Sequence, residues 1–198
     1  MLVDDNTGGI EGSDGDDELV GSPENDIIFA LGGNDTVAGG FGADNLDGGE
    51  GNDILRGDLN RRLPGGSVDG NDTLTGGAGD DRMGGKAGND ELYGEDGNDA
   101  LWGDDGDDLL QGGLGNDILV GDDFSGGSGS DTFVLAAAEG TDTIIDFEMG
   151  VDIIQLANGL TFEDLTLTSS GNSVGIVLGE EALAVVLNVT VLSASDFI

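Results

Sequence analysis

The chain has 198 residues, with 40 glycines, 2 prolines, no cysteine and no histidine. Asp and Glu number 42 against 5 Lys and Arg, a formal net charge of −37; nucleic-acid phosphates and anionic lipid surfaces are repelled, and the natural partner of such a field is a cation. The missing histidine excludes Ser-His-Asp and His-containing zinc-protease chemistry, no G-x-S-x-G elbow occurs, and no run of 18 apolar residues is available to insert into a membrane.

Residues 1–11, "MLVDDNTGGIE", form a lead-in without the basic start and long apolar run of a cleavable signal peptide. From residue 12 the chain repeats every nine residues. With Gly112 of "GGLGNDILV" placed at position 1, the frame runs from Gly12 to Arg56 and again from Asp69 to Val120. An excursion, "LNRRLPGGSV" at 59–68, separates the two blocks, and a second near 123–127 precedes the last unit, which ends "SDTFV" at Val134. Twelve units result.

Position 6 is Asp in every unit: Asp17, Asp26, Asp35, Asp44, Asp53, Asp72, Asp81, Asp90, Asp99, Asp108, Asp117 and Asp131. Position 8 is always large and apolar, from Leu19 and Ile28 through Leu92 and Leu101 to Phe133, and position 4 is Gly except at Glu24. Each unit reads as a six-residue turn followed by a three-residue strand with one inward side chain. One core residue per nine cannot form a core alone, so the units must stack, two to a coil of 18 residues. The expected fold is all-β: a right-handed parallel β-roll, a β-helix-like solenoid, over residues 12–134.

From residue 135 glycine thins out and apolar residues alternate in "TDTIIDF", "VDIIQLA", "LTLTSS", "VGIVLG" and "LAVVLNV". These read as short antiparallel strands with turns at "SSGNS" and "LGEEA". The last coil leaves apolar side chains uncovered, so residues 135–198 are expected to form a small antiparallel β capping region.

Stacking the coils puts the position 6 aspartates in a column along each edge. Like charges about 5 Å apart repel by roughly 0.8 kcal/mol even at the dielectric of water, and the turns leave carbonyls without ladder partners. A hard divalent cation between turns answers both problems. Ca²⁺ accepts six to eight oxygens in flexible geometry, Mg²⁺ demands tighter octahedra, and zinc or copper would want the His or Cys that the chain lacks. The EF-hand loop pattern is not matched.

"GGAGDDRMG", "GGKAGNDELYG" and "GGLGNDILV" resemble the repeat-in-toxin (RTX) nonapeptide, and the likeness covers residues 12–134. The resemblance implies one Ca²⁺ between each turn and the turn one coil later, about ten ions for twelve turns. For the turns at Gly76 and Gly94 it implies the carbonyls of Gly77 and Gly79 with the Asp81 carboxylate, then the carbonyls of Gly94 and Asp96 with the Asp99 carboxylate. "GTDTII" and "GVDIIQL" look like degenerate repeats, so Asp142 and Asp152 either close further sites against Asp117 and Asp131 or only terminate strands; Asp146 is a similar case. Units containing Glu24 or lacking the leading glycines point to weak or missing sites at Asp26 and Asp35.

The resemblance further implies secretion to the medium or cell surface by type I machinery, with "SDFI" as the uncleaved C-terminal signal; Phe197 and Ile198 equally read as the end of a strand. Folding is expected to follow calcium at roughly 10⁻⁴ to 10⁻³ M. The functional expectation is a secreted, non-catalytic calcium-binding protein. The alternatives are a subunit that stacks end to end into a fibre or surface layer, an ice-binding ladder of position 5 asparagines, or the secretion end of a larger protein. Met1 and the lack of a catalytic stretch favour a stand-alone protein. Tyr93 and Trp102 are expected on opposite sides of the rod.

Overall fold

The computed structural model describes residues 9–58, 70–122 and 129–198. The expectations for the two excursions and for residues 1–8 fall outside the described residues. Alternation of one inward side chain between two outward ones draws every nonapeptide into a strand. Before the first excursion these are β1 (Ile10–Ser13), β2 (Glu18–Val20), β3 (Ile27–Leu31), β4 (Thr36–Gly40), β5 (Asn45–Glu50) and β6 (Ile54–Asp58). Between the excursions come β7 (Thr73–Ala78), β8 (Arg82–Ala87), β9 (Glu91–Asp96), β10 (Ala100–Asp105), β11 (Leu109–Leu114) and β12 (Ile118–Asp122). After them stand β13 (Thr132–Leu135), β14 (Asp142–Ile144), β15 (Ile153–Leu156), β16 (Leu165–Ser170), β17 (Ser173–Leu178) and β18 (Glu181–Leu187).

Odd strands β1 to β15 form one eight-stranded sheet in the order β1-β3-β5-β7-β9-β11-β13-β15. Even strands β2 to β14 form the opposite sheet, which β18, β17 and β16 extend to ten. Neighbours pair in parallel at a register of one coil, for example Leu92↔Leu110 and Leu101↔Leu119. This is the parallel β-roll that the period of nine predicts. Every position 8 side chain from Leu19 to Phe133 is at most 1% exposed, so the core is a single seam between two sheets. Tyr93 on β9 and Trp102 on β10 do lie on opposite sheets.

Two features differ from expectation. Most strands are five or six residues long rather than three, because positions 1 to 3 stay in the ladder: Glu95 pairs with Gly77, and Asp96 with Ala78. The turn shrinks to positions 4 to 6. In most units position 2 then takes a positive φ, supplied by Gly77 at 103° but also adopted by Leu31, Lys86, Glu95 and Asp104 at 73 to 93°, a conformation side chains resist. Second, "TDTIIDF" and "VDIIQLA" are not antiparallel: β14 pairs in parallel with β12 and β15 with β13, so roll geometry continues to Leu156. Only β16 to β18 are antiparallel to one another, while β18 joins β14 in parallel.

Candidate metal centre

The turns carry the chemistry. At each turn the backbone N–H of the position 6 Asp donates to Oδ1 of the Asp one coil later. Asp81 N–H reaches Asp99 Oδ1 at 2.8 Å and Asp99 N–H reaches Asp117 Oδ1 at 2.8 Å. The same bond links Asp17 to Asp35, Asp26 to Asp44, Asp53 to Asp81, Asp72 to Asp90 and Asp108 to Asp131. Two columns of carboxylates thus run along the roll, one per edge, and Asp26 to Asp131 are buried. Asp142 and Asp152 continue them, accepting from Asp117 N–H at 3.2 Å and Asp131 N–H at 3.0 Å.

The second oxygen of these carboxylates is the telling one. In Asp35, Asp44, Asp53, Asp81, Asp99, Asp108, Asp117 and Asp131, Oδ2 is buried and has no hydrogen-bond partner among the described residues. A buried, unpartnered anionic oxygen is costly. It also faces another acceptor. A Cβ placed on Gly48 would lie 2.5 Å from both Asp53 Oδ2 and the carbonyl oxygen of Gly76 one coil on. Gly48 therefore has no room for a side chain, and the two oxygens are at most about 5 Å apart, within the span of two ligands of one Ca²⁺.

The same relation brings together most of the expected ligands of the Gly76 and Gly94 turns. A Cβ on Gly76 would meet both Asp81 Oδ2 and the Gly94 carbonyl, and one on Gly97 would meet the Gly79 carbonyl and Asp99 Oδ1. The Asp96 carbonyl accepts the Gly79 N–H at 2.8 Å, which leaves it one lone pair. Gly77 stands in the strand ladder opposite Glu95, with its carbonyl outside this set of contacts. Among the described residues no three acidic side chains gather at one point. Each interval offers two carboxylates and several carbonyls, a donor set of oxygens alone that suits a hard cation.

Burial pushes the carboxylates up. Asp44, Asp81 and Asp131 rise to about 7, Asp99 to about 6 and Asp108 to about 8, with desolvation the largest cause and neighbouring carboxylates adding to it. Asp142 rises to about 7 for the same reasons, and Asp35, Asp53 and Asp152 are raised as well.

Some carboxylates are already engaged. Ser13 N–H and Oγ both donate to Asp17 Oδ2 at 2.7 Å, and Ser22 N–H does so to Asp26 Oδ2 at 2.6 Å. Glu148 N–H holds Asp152 Oδ2 at 2.6 Å. In all three units position 2 is not glycine. Asp26 and Asp35, grouped together from sequence, therefore differ: the Oδ2 of Asp26 is occupied and that of Asp35 is not.

The position 5 residues have a role not read from the sequence. Their side-chain oxygens accept the N–H of position 5 one coil later, as Asn34 does from Asn52 at 3.1 Å and Asp80 from Asn98 at 2.8 Å. The recurrence of Asn there was the available signal, and it marks a turn ladder running opposite to the Asp column. Asp146 likewise accepts Gly121 N–H at 3.0 Å and Asp122 N–H at 2.9 Å with its two oxygens.

Among solved structures, the chain is similar to the extracellular lipase LipA of Serratia marcescens, with a TM-score of 0.48 and 19% identity over 98% of this chain and 40% of the lipase. It spans about two-fifths of that enzyme's length. It is also similar to the AlgE6R3 subunit of the Azotobacter vinelandii mannuronan C5-epimerase, with a TM-score of 0.26 and 27% identity over 68% of this chain and 81% of the subunit. No curated protein sequence matches. The family model of the RTX calcium-binding nonapeptide repeat matches residues 11–46, 31–61, 69–92, 84–119 and 93–133, more than half of the chain. With its parallel roll, its columns of buried carboxylates and this match, the chain belongs to the RTX calcium-binding nonapeptide-repeat family.

Proposed function

We propose that the protein is a secreted, non-catalytic calcium module whose roll assembles as Ca²⁺ enters between successive turns. The observation that carries this reading is the buried Oδ2 of Asp53 facing the Gly76 carbonyl with no donor between them. Bound there, calcium would supply positive charge to oxygens that have no proton donor. The residues that would hold it between the Gly76 and Gly94 turns are Asp81 and Asp99 with the carbonyls of Gly79, Gly94 and Asp96; Gly77 completes the set implied by the family pattern. Asp35, Asp44, Asp53, Asp72, Asp90, Asp108, Asp117 and Asp131 serve the other turns, and Asp142 extends the column. Asp17, Asp26 and Asp152 form weaker sites, because Ser13, Ser22 and Glu148 already bind their second oxygen. About ten ions per chain follow.

Each coil adds only two core side chains, so most of the folding free energy comes with the metal. The calcium roll, expected over residues 12–134, runs on through β14 and β15, and the residues after Leu156 act as its cap, supported by the inclusion of Val174, Ile176, Leu183 and Phe197 in the same apolar core. Such coupling suits type I export: the chain stays loose where calcium is scarce and folds outside. Phe197 packs on Phe162 with ring centroids 5.1 Å apart, so the C-terminal residues would serve export before folding and the cap afterwards. Equilibrium dialysis with elemental analysis tests the reading. Around ten calcium ions per chain at millimolar free Ca²⁺ support it; one or two would sink it.

A second reading rests on β1 and β2, which are the terminal strands of the two sheets among the described residues. Stacking of copies at that end would give a fibre or layer, and light scattering that grows with calcium and protein concentration would reveal it.

A further inference from the structure

All three basic residues among the described residues, Arg56, Arg82 and Lys86, line one groove on the outer face of the ten-stranded sheet, together with the single tryptophan of the chain. The groove has a volume of about 190 Å³. Its shape follows from register. Gly84 lies between Arg56 on β6 and Trp102 on β10, and the end of Lys86 covers it in place of a side chain of its own, with a guanidinium on one side and an indole on the other. Arg82 is exposed, and Arg56 and Trp102 are half-buried.

In a chain of net charge −37, cations are expected to be paired. Lys86 is: its Nζ lies 2.6 Å from Asp104 Oδ2, and it stretches over Gly84. It does so from position 2, at φ 93°. Asp104, its registered partner, stands at φ 79°. The guanidinium groups of Arg56 and Arg82 have no hydrogen-bond or ion-pair partner among the described residues. None of these residues belongs to the turn columns.

We propose that this groove binds a uronate residue of an acidic glycan. The apolar face of a sugar ring suits the indole. A ring carboxylate suits the two unpaired guanidinium groups, whose planar forks bind carboxylates in bidentate fashion. The Lys86–Asp104 pair supplies a donor and an acceptor for ring hydroxyls. Repulsion from the acidic turns is screened beyond about 8 Å at physiological salt, so one charge per ring is admitted locally. A polyphosphate chain fits less well, since it needs a track of cations and the described residues hold one cluster.

Trp102 is the sole tryptophan, so its fluorescence reports the groove directly. The full chain, saturated with calcium at pH 7.5, is titrated with tetragalacturonate while free Ca²⁺ is held constant with a calcium electrode. Cellotetraose serves as the neutral counterpart. The expected result is a saturable emission shift with tetragalacturonate, at least about tenfold weaker with cellotetraose and with the Arg56→Gln/Arg82→Gln double variant. No shift, an equal response to cellotetraose, or unweakened binding by the double variant overturns the proposal. A shift that grows with protein concentration alone also overturns it, assigning the groove to a second copy. Unchanged far-ultraviolet circular dichroism in every arm shows the roll intact, so failure here is separate from failure of the calcium reading.

Discussion

Lowering the pH should substitute, in part, for calcium. In the metal-free roll Asp44, Asp81 and Asp131 titrate near 7 and Asp108 near 8, against an ordinary value of 3.8. Because the folded values are raised, the folded state holds protons that the unfolded chain has released. Its stability is fully present below about 3.8, falls steadily as pH rises from there, and is fully lost once pH passes the folded values of about 7 to 8. At 1.36 kcal/mol per pH unit, a carboxylate raised by three units opposes folding by about 4 kcal/mol above pH 7. Three or four such groups match the whole stability of a typical domain, 5–15 kcal/mol. Metal-free protein followed by circular dichroism and gel filtration from pH 5 to 8 should therefore be β-rich and compact at pH 5 and expanded at pH 7.5, with a midpoint between 6 and 7. At pH 5 the chain remains above its isoelectric point of about 4.1, which limits precipitation. A metal-free chain as disordered at pH 5 as at 7.5, or one that stays folded at pH 8 in chelator, would show that buried carboxylates do not set the barrier to folding.

Five substitutions probe the parts of a coil separately. Asp99→Asn keeps an acceptor for the Asp81 N–H but removes the charge, so one or two calcium ions should be lost by dialysis while the loaded roll still folds. Gly48→Ala drives a methyl to 2.5 Å from Asp53 Oδ2 and the Gly76 carbonyl, and should destabilise the loaded protein by more than about 2 kcal/mol in urea. Gly15→Ala, where a Cβ meets nothing within 4 Å, should stay within about 0.5 kcal/mol. Leu92→Ala empties a fully buried position in a core one side chain thick and should lose about 2–5 kcal/mol, whereas Ile118→Ala, 42% exposed, should lose under about 1 kcal/mol.

The roll was legible because its period is written in single residues. Asp at position 6 and an apolar residue at position 8 repeat through two interruptions, and no other stacking buries Leu92 and Leu101 together. Strand length was not legible, because glycine at positions 1 and 2 looks like a turn and only the ladder from Gly77 to Glu95 shows it to be strand. The parallel pairing of β14 and β15 was hidden for the opposite reason: their alternating apolar residues suit either direction, and glycine no longer marks the frame. At the turns, Asp142 and Asp152 were recognisable by spacing alone. The occupation of Asp17 and Asp26 by Ser13 and Ser22 depends on which way an N–H points, and that is a property of φ at position 2. The groove at Trp102 was illegible for a related reason. Arg56, Gly84 and Trp102 are far apart in sequence and become neighbours only through the register of β6, β8 and β10.

The central claim is that this fold is bought with calcium. It is tested most directly by titrating metal-free protein at pH 7.5 with Ca²⁺ while circular dichroism and hydrodynamic radius are recorded on the same samples. A cooperative gain of β signal together with compaction, centred at roughly 10⁻⁴ to 10⁻³ M Ca²⁺ and absent with equal Mg²⁺, is the predicted result. The same β signal and radius in excess chelator as in millimolar calcium would contradict it.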